Sequence, residues 1–346
     1  KISREVWQTM KILCLSRAPL DYIGGIPSYC LNLYRFINFD VENFSYDLNG
    51  KINTKEVRFY NNIKETIFPS QFIAGTLAFS FEYIFTILKK NKRYKIIHLQ
   101  HPDPLSAISV ILAKLINRKT KIIVSWHAEI YSKYFLAAPL LLLIDTLLFF
   151  LSTKLVYFTP HHVDSSLLSK FNFIHKKITI IPLCIARPKI KKYINHDLKR
   201  FSLDKKKEIR VVSVGRLVEY KGYKYALRAI SILDEKIKYT IIGEGPLKEK
   251  LNKLILDLNL SKRVFLLGEI SEEVKNKELY ESDIFLFPSI NQSEAYGLVQ
   301  LEAMYFKLPI INTFLKNGVN FLAPRNVAIT CKKRDSISLA KAITKL

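Results

Sequence analysis

Short apolar runs rich in Ile, Val and Phe recur along the chain between longer stretches of helical periodicity, an alternation that predicts parallel strands wrapped by helices. Both halves show it. Strands are expected near Lys11–Leu15, Ile96–Leu99, Ile122–Val124, Leu155–Phe158 and Ile178–Ile181, and again near Arg210–Val214, Tyr239–Ile242, Val264–Leu267, Ile284–Phe287 and Ile310–Ile311. Between the two sets, Arg187 to Glu208 holds nine Lys or Arg, one Pro and no apolar periodicity, and reads as a solvated linker. The expected organisation is α/β: a Rossmann-like domain over residues 10–185, a basic linker over 186–208 and a second Rossmann-like domain over 209–346. Such domains are expected to face each other across a cleft.

Two stretches are apolar enough to raise the question of a membrane. Tyr134 to Thr153 carry one charge, Asp145, and Leu140–Leu151 are almost wholly Leu, Ile and Phe. A bilayer span needs about 20 such residues, so length permits one. A carboxylate near the bilayer centre costs about 2.5–3.5 kcal/mol, and Pro139 interrupts the first half. A buried or half-buried helix is therefore favoured, ahead of a membrane-surface helix and a span. Residues Phe72–Leu88 are apolar and aromatic with one Glu, and lead into Lys89-Lys90-Asn91-Lys92-Arg93-Tyr94-Lys95. They read as an apolar helix ending in a basic cluster, suited either to an anionic bilayer or to a buried helix beside a solvated charge run.

At 346 residues the chain exceeds what one hydrophobic core usually organises, in keeping with two domains. Its 54 Lys+Arg against 30 Asp+Glu give a net charge of +24, which implies an anionic partner: nucleic acid, a phospholipid surface or a phosphorylated substrate. The excess is even, +11 over residues 1–185 and +13 over 186–346, so no basic tail explains it. Lys outnumbers Arg 40 to 14, whereas base-edge readout leans on the Arg fork. With no zinc spacing, RNP-like strand or recognition helix, nucleic acid is the disfavoured partner. Cysteines 14, 30, 184 and 331 form no CxxC pair and no metal-ligand spacing, and read as reduced thiols of a cytosolic protein. The residues ahead of Met10 are polar, lack the apolar core of a secretory signal, and read as an extension ahead of the natural start.

In parallel sheets ligands bind beyond the carboxyl ends of the strands, and that rule ranks the loops. Gly24-Gly25 follow the first strand and precede an amphipathic run, Ile26 to Ile37. They are either a plain turn or a place where backbone approaches an anion at a helix start. The pair does not fit the dinucleotide fingerprint G-x-G-x-x-G. Arg216 and Lys221, in Gly215-Arg216-Leu217-Val218-Glu219-Tyr220-Lys221-Gly222, are either two surface charges among many or a pair suited to a diphosphate. In Glu294-Ala295-Tyr296-Gly297-Leu298-Val299-Gln300-Leu301-Glu302 a helix is expected to start near Gly297. The N–H groups of Gly297 and Leu298 would then suit a phosphate, and Glu302 a vicinal diol or merely solvent. Arg216, Lys221 and Glu302 are all expected on exposed strand or helix ends.

Together with Trp126-His127, Ile242-Gly243-Glu244-Gly245-Pro246-Leu247, Pro288-Ser289 and Glu302-Ala303-Met304, these motifs resemble, in order and spacing, the retaining GT-B glycosyltransferases of the group often called family 4. The resemblance covers nearly the whole chain. It implies a carboxyl-terminal domain that binds a nucleotide-diphosphate sugar (UDP-, GDP- or ADP-linked) and an amino-terminal domain that binds the acceptor. Arg216 and Lys221 would neutralise the departing diphosphate, Glu294 would bind sugar hydroxyls, and His127 would sit near the transferring sugar. Glu302 would hold the ribose, with Tyr296, Gly297 and Leu298 beside the phosphates. Gly24, Gly25 and Gly243 would allow close backbone approach, and Glu269-Ile270 would lie against the base.

No DxD motif occurs, which suits chemistry without a divalent metal or other cofactor, the cations standing where a metal would. The chain departs from the pattern at Ala295 and Tyr296, and after Pro309, where Gly318-Val319 resemble the variant with Gly-Val near the phosphates. The pattern also implies one or two helices beyond Leu346. For the acceptor, the basic, apolar first half points to a lipid-linked glycan of bacterial surface-polysaccharide assembly, O-antigen, capsule or lipopolysaccharide. The enzyme would sit in the cytoplasm, peripheral on the inner face of the membrane. A sugar-nucleotide epimerase or a non-catalytic relative on the same scaffold is the alternative.

Overall fold

The computed structural model describes residues 11–185, 188 and 208–346, apart from 23, 36, 38, 61, 75–76, 128–134, 167–170, 292–293, 295, 316–317 and 325. It divides into two compact units, Lys1–Cys184 and Ile185–Leu346. The expected linker, 186–208, lies almost wholly outside the described residues.

The first unit runs β1 (Lys11–Leu15), α1 (Gly25–Arg35), β2 (Asp40–Tyr46), β3 (Glu56–Tyr60), β4 (Ile63–Phe68), β5 (Phe72–Ala74) and β6 (Leu77–Phe79). It continues with α2 (Phe81–Lys90), β7 (Ile96–His101), α3 (Pro104–Ile116), β8 (Lys121–Trp126), α4 (Ala138–Leu151), β9 (Lys154–Tyr157), α5 (Pro160–Ser165), α6 (Asn172–His175) and β10 (Ile178–Ile180). Its sheet has the order β10-β9-β8-β7-β1-β2-β4-β3, parallel except for the edge strand β3. The order reverses between β1 and β7. The steps β4 to β7 to β8 to β9 all go one way, and right-handed crossovers place α2, α3 and α4 on one face. There α2 packs on α3 and α3 on α4. Leu13, Leu99, Val124 and Trp126 of the strands meet Tyr83, Val110 and Phe149 of these helices in one core.

All five expected strands of this half are present, but β2, β3 and β4 escape the apolar-run signal. The polar residues of β2 and β4 are part of the interior: buried Glu65 of β4 accepts from Asn43 Nδ2 at 2.8 Å and Ser45 Oγ at 2.9 Å, both on β2, and from the N–H of Leu20 at 3.0 Å. Phe72–Leu88 is not one helix. The hairpin β5–β6 takes its first part, and Ser80 caps α2 by accepting from the N–H of Tyr83. The apolar helix α4 has 14 residues, and no helix of the described residues is long and apolar enough to cross a membrane. Its one charge, Asp145, is buried beside His101, with Oδ2 3.6 Å from Nε2. Burial lowers the His101 pKa to about 3, so the carboxylate faces a neutral ring.

The second unit alternates strictly: β11 (Ile209–Val214), α7 (Tyr223–Ser231), β12 (Ile237–Ile242), α8 (Lys248–Asp257), β13 (Val264–Gly268), α9 (Glu272–Glu281), β14 (Ile284–Phe287), α10 (Val299–Tyr305), β15 (Ile310–Thr313), α11 (Gly318–Leu322), β16 (Ala328–Cys331) and α12 (Ser336–Lys345). All its strands are parallel, in the order β13-β12-β11-β14-β15-β16. Both faces are covered. Val211, Leu286 and Ile311 pack against Leu227, Ile230 and Ile343 on one side, while Val212, Phe285 and Ile310 pack against Ala303 and Leu308 on the other. That double burial is why these strands read as continuous apolar runs.

Candidate functional site

The strand order of the second unit reverses between β11 and β14, so the loops after these two strands flank the crevice where such sheets take ligands. They carry Arg216, Lys221 and Glu294. The two loops are knitted together: the N–H of Ile290 donates to Tyr220 O at 2.8 Å, and Gly222 has φ +70° with Pro288 O 2.1 Å from where a Cβ would stand. A side chain at 222 would force them apart. Lys221 Nζ lies 2.5 Å from Glu294 Oε2, with 11% and 10% of the two side chains exposed, and 5.1 Å from the centroid of the Phe287 ring. Ser289 Oγ donates to the same carboxylate at 3.1 Å. Arg216 is exposed and has no ion-pair partner among the described residues. Lys221 and Glu302 therefore differ from the exposed ends expected of them: both side chains are largely buried and paired.

Glu302 lies in α10, which begins at Val299, two residues later than expected. Its carboxylate receives Lys275 of α9, Nζ to Oε2 2.8 Å, and Lys275 also reaches Glu272 at 2.9 Å. Burial raises the Glu302 carboxyl above the ordinary value, and the Lys275 charge pulls it part of the way back. Sequence reasoning missed Lys275, because its partner sits on another helix. Gly297 has φ +76°, and a Cβ there would lie 2.8 Å from the Phe287 ring, so this glycine is required by packing. The N–H groups of Gly297 and Leu298 have no hydrogen-bond partner among the described residues. Tyr296 is buried, its ring removed from solvent.

The remaining second-unit residues divide. Gly243 follows β12 with φ +138°, and Gly215 O would be 2.3 Å from its Cβ, so the glycine is needed where the first two loops touch. Glu269 is exposed after β13, and Ile270 is half-buried against the core that holds Ala303. Val319 is fully buried and its carbonyl accepts from Gln300 Nε2 at 3.1 Å, so its side chain is not available to a ligand. Gly318, also buried, starts α11 beside it.

In the first unit the reversal lies between β1 and β7, and the loop after β1 leads to Gly24 and Gly25 at the start of α1. Neither glycine has a positive φ, and a Cβ at Gly25 would meet nothing within 4 Å. The unit itself does not need glycine there. Gly25→Ala is accordingly expected to leave the melting temperature unchanged or slightly raised, which thermal unfolding followed by circular dichroism checks. His127 follows β8, its Nε2 3.0 Å from Gln100 Oε1 and its ring against Tyr29 and Phe158. Burial, with the neighbouring histidines 162, 98 and 101, holds its pKa well below the usual value. A neutral ring that donates from Nε2 to an amide oxygen presents Nδ1 as an acceptor. The preceding Trp126 is buried and stacked on His101, centroids 3.8 Å apart.

Residues 195–346 match the family model of glycosyl transferases group 1. The second unit belongs to the group 1 glycosyltransferases. An uncharacterised glycosyltransferase of Methanocaldococcus jannaschii is 26% identical over 78% of this chain and 67% of its own length. The N-acetylgalactosamine-N,N'-diacetylbacillosaminyl-diphospho-undecaprenol 4-alpha-N-acetylgalactosaminyltransferase of Campylobacter jejuni is 33% identical over 32% of this chain, an alignment spanning 30% of that protein. Among solved structures, Anabaena HepE in complex with UDP and glucose superposes with a TM-score of 0.73 at 17% identity, covering 97% of this chain and 89% of that one. The fold is that of the GT-B glycosyltransferases.

Proposed function

We propose that this protein is a retaining hexosyltransferase, moving a hexose or N-acetylhexosamine from a UDP-, GDP- or ADP-sugar to a lipid-linked oligosaccharide. The pathway we assign is bacterial surface-polysaccharide assembly, at the inner face of the cytoplasmic membrane. The observation that carries the reading is the cation pair at the β11/β14 reversal, Arg216 exposed and Lys221 held by Glu294. As the bond from the anomeric carbon to the diphosphate breaks, negative charge builds on the leaving oxygen, and both cations lie on the loop that would receive it. Lys221 exchanges Glu294 for phosphate, which frees the Glu294 carboxylate to accept from sugar hydroxyls. Glu302 accepts from the ribose diol, Glu269-Ile270 lie against the base, and the backbone at Gly297, Leu298 and Gly318-Val319 borders the phosphates. His127, neutral, offers Nδ1 to a sugar hydroxyl. The two cations supply the electrostatic role of a divalent metal, so the reaction is expected to persist in EDTA.

The donor and acceptor classes are supported by kinship alone: HepE was solved with UDP and glucose, and the Campylobacter relative is named for a diphospho-undecaprenol acceptor. Retention rests on the family resemblance. The deciding experiment offers each nucleotide sugar with a bacterial lipid extract in EDTA and follows both donor and lipid-linked product. Donor loss matched by a glycosylated lipid supports the transferase. Donor interconversion or hydrolysis without such a product supports an epimerase or a non-transferring relative instead.

A further inference from the structure

The helices α3 and α4 each carry a second apolar face that is exposed. In α3 the buried side joins Leu105 and Val110 to Ser106, Ala107, Ser109 and Ala113, while Leu112, Leu115 and Ile116 are exposed. In α4 the one charge, Asp145, is buried together with Leu141, Leu148 and Phe149, while the other face of the helix is also apolar and is exposed. Leu140, Leu143, Leu147 and Phe150 recur at helical spacing along one stripe, from 45% exposed at Leu147 to 65% at Phe150. Since α3 packs on α4, the two stripes lie on neighbouring helices of one face. Exposed apolar residues gathered on two helices packed side by side suit a docking site better than a solvated face.

The charges around it identify the occupant. Between Tyr83 and Trp126 the chain has nine Lys or Arg and a single acid, Asp103, which is buried as the cap of α3. Helices in crossover units run antiparallel to their strands, so helix carboxyl ends and strand amino ends share one edge of the sheet. That edge collects exposed Lys89 in the last turn of α2, Lys92, Arg93 and Lys95 after it, and Arg118 and Lys119 after α3. An isologous pair of copies would bring two such rims of one sign together, whereas an anionic bilayer complements both the leucine stripe and the cations. We propose that the α3–α4 face is the membrane-docking surface of the protein, lying in the interface of an anionic bilayer with the basic edge against the headgroups. Gly25 and His127, at the opposite edge of the same sheet, stay uncovered. This gives a physical location to the peripheral attachment proposed above, but stands on its own observations.

Co-sedimentation of the full chain with vesicles of equimolar phosphatidylglycerol and phosphatidylcholine tests it. Wild type is expected to bind these vesicles, and phosphatidylcholine alone at least about tenfold more weakly. The triple change Leu140→Ser, Leu143→Ser and Leu147→Ser, at exposed positions, should weaken binding by about a hundredfold or more with circular dichroism unchanged. Lys89→Gln, Lys92→Gln and Lys119→Gln should each cost about fivefold. All four variants should keep the wild-type response to nucleotide, so loss of that response in wild type would sink the donor reading and leave the docking face standing. Failure of wild type to bind anionic vesicles overturns the docking face. So does binding indifferent to the serine changes, or a concentration-dependent dimer that the serine changes abolish.

Discussion

Lys221→Ala is expected to lower kcat/KM for the nucleotide sugar by two to three orders of magnitude, the scale seen when a donor aimed at developing charge is removed. It should also destabilise the protein. Lys221 and Glu294 form a largely buried pair, and deleting the cation takes this counter-charge from the carboxylate, to which Ser289 still donates. A loss of roughly 3 kcal/mol follows from breaking such a pair, reduced where water reaches the carboxylate. The double change Lys221→Ala with Glu294→Ala removes the stranded charge, so most of the stability should return in urea melts while activity stays lost. If activity instead recovers along with stability, Lys221 serves folding and not the leaving group.

Glu302→Gln is expected to weaken nucleotide binding by about a hundredfold, through loss of charge-assisted acceptance from a diol, and Lys275→Met by about tenfold at neutral pH. The second effect works through the first. Burial already lifts the Glu302 carboxyl, and Lys275 opposes that lift, so without Lys275 the group protonates at higher pH. A protonated carboxyl loses its acceptor charge, so binding falls as pH falls through the raised value. In Lys275→Met the acid limb of binding should therefore move to higher pH, measured by calorimetry from about pH 5.5 to 8. With a 2′,3′-dideoxynucleotide the diol is gone, and wild type, Glu302→Gln and Lys275→Met should bind alike. Persistence of the differences with that ligand would show that the pair only holds α9 to α10.

The sequence made the sheets legible where strands are buried by apolar residues, because parallel strands covered on both faces leave unbroken runs such as Ile284–Phe287. It did not reveal β2 or β4, whose interior is a hydrogen-bonded network around Glu65 that looks, residue by residue, like surface. The site loops could be ranked because they follow recognisable strands. Their electrostatics could not, since the partners of Lys221 and Glu302 come from other elements and no spacing encodes them. Gly243 shows the limit of reading glycines: its pattern position suggested a ligand, while the backbone shows it meeting Gly215. Gly25 is the opposite case, a glycine the fold does not use.

The central claim is a nucleoside-diphosphate site between the loops after β11 and β14, and thermal melting with UDP, GDP and ADP tests it most directly. A ligand that binds the folded state alone stabilises by mass action, about 2.7 kcal/mol at a hundredfold excess over Kd. One of the three should raise the wild-type transition. Arg216→Ala, which removes an exposed cation, should melt at the wild-type temperature without ligand and lose most of the shift with it. No shift with any nucleotide, or an equal shift in wild type and Arg216→Ala, would contradict the account.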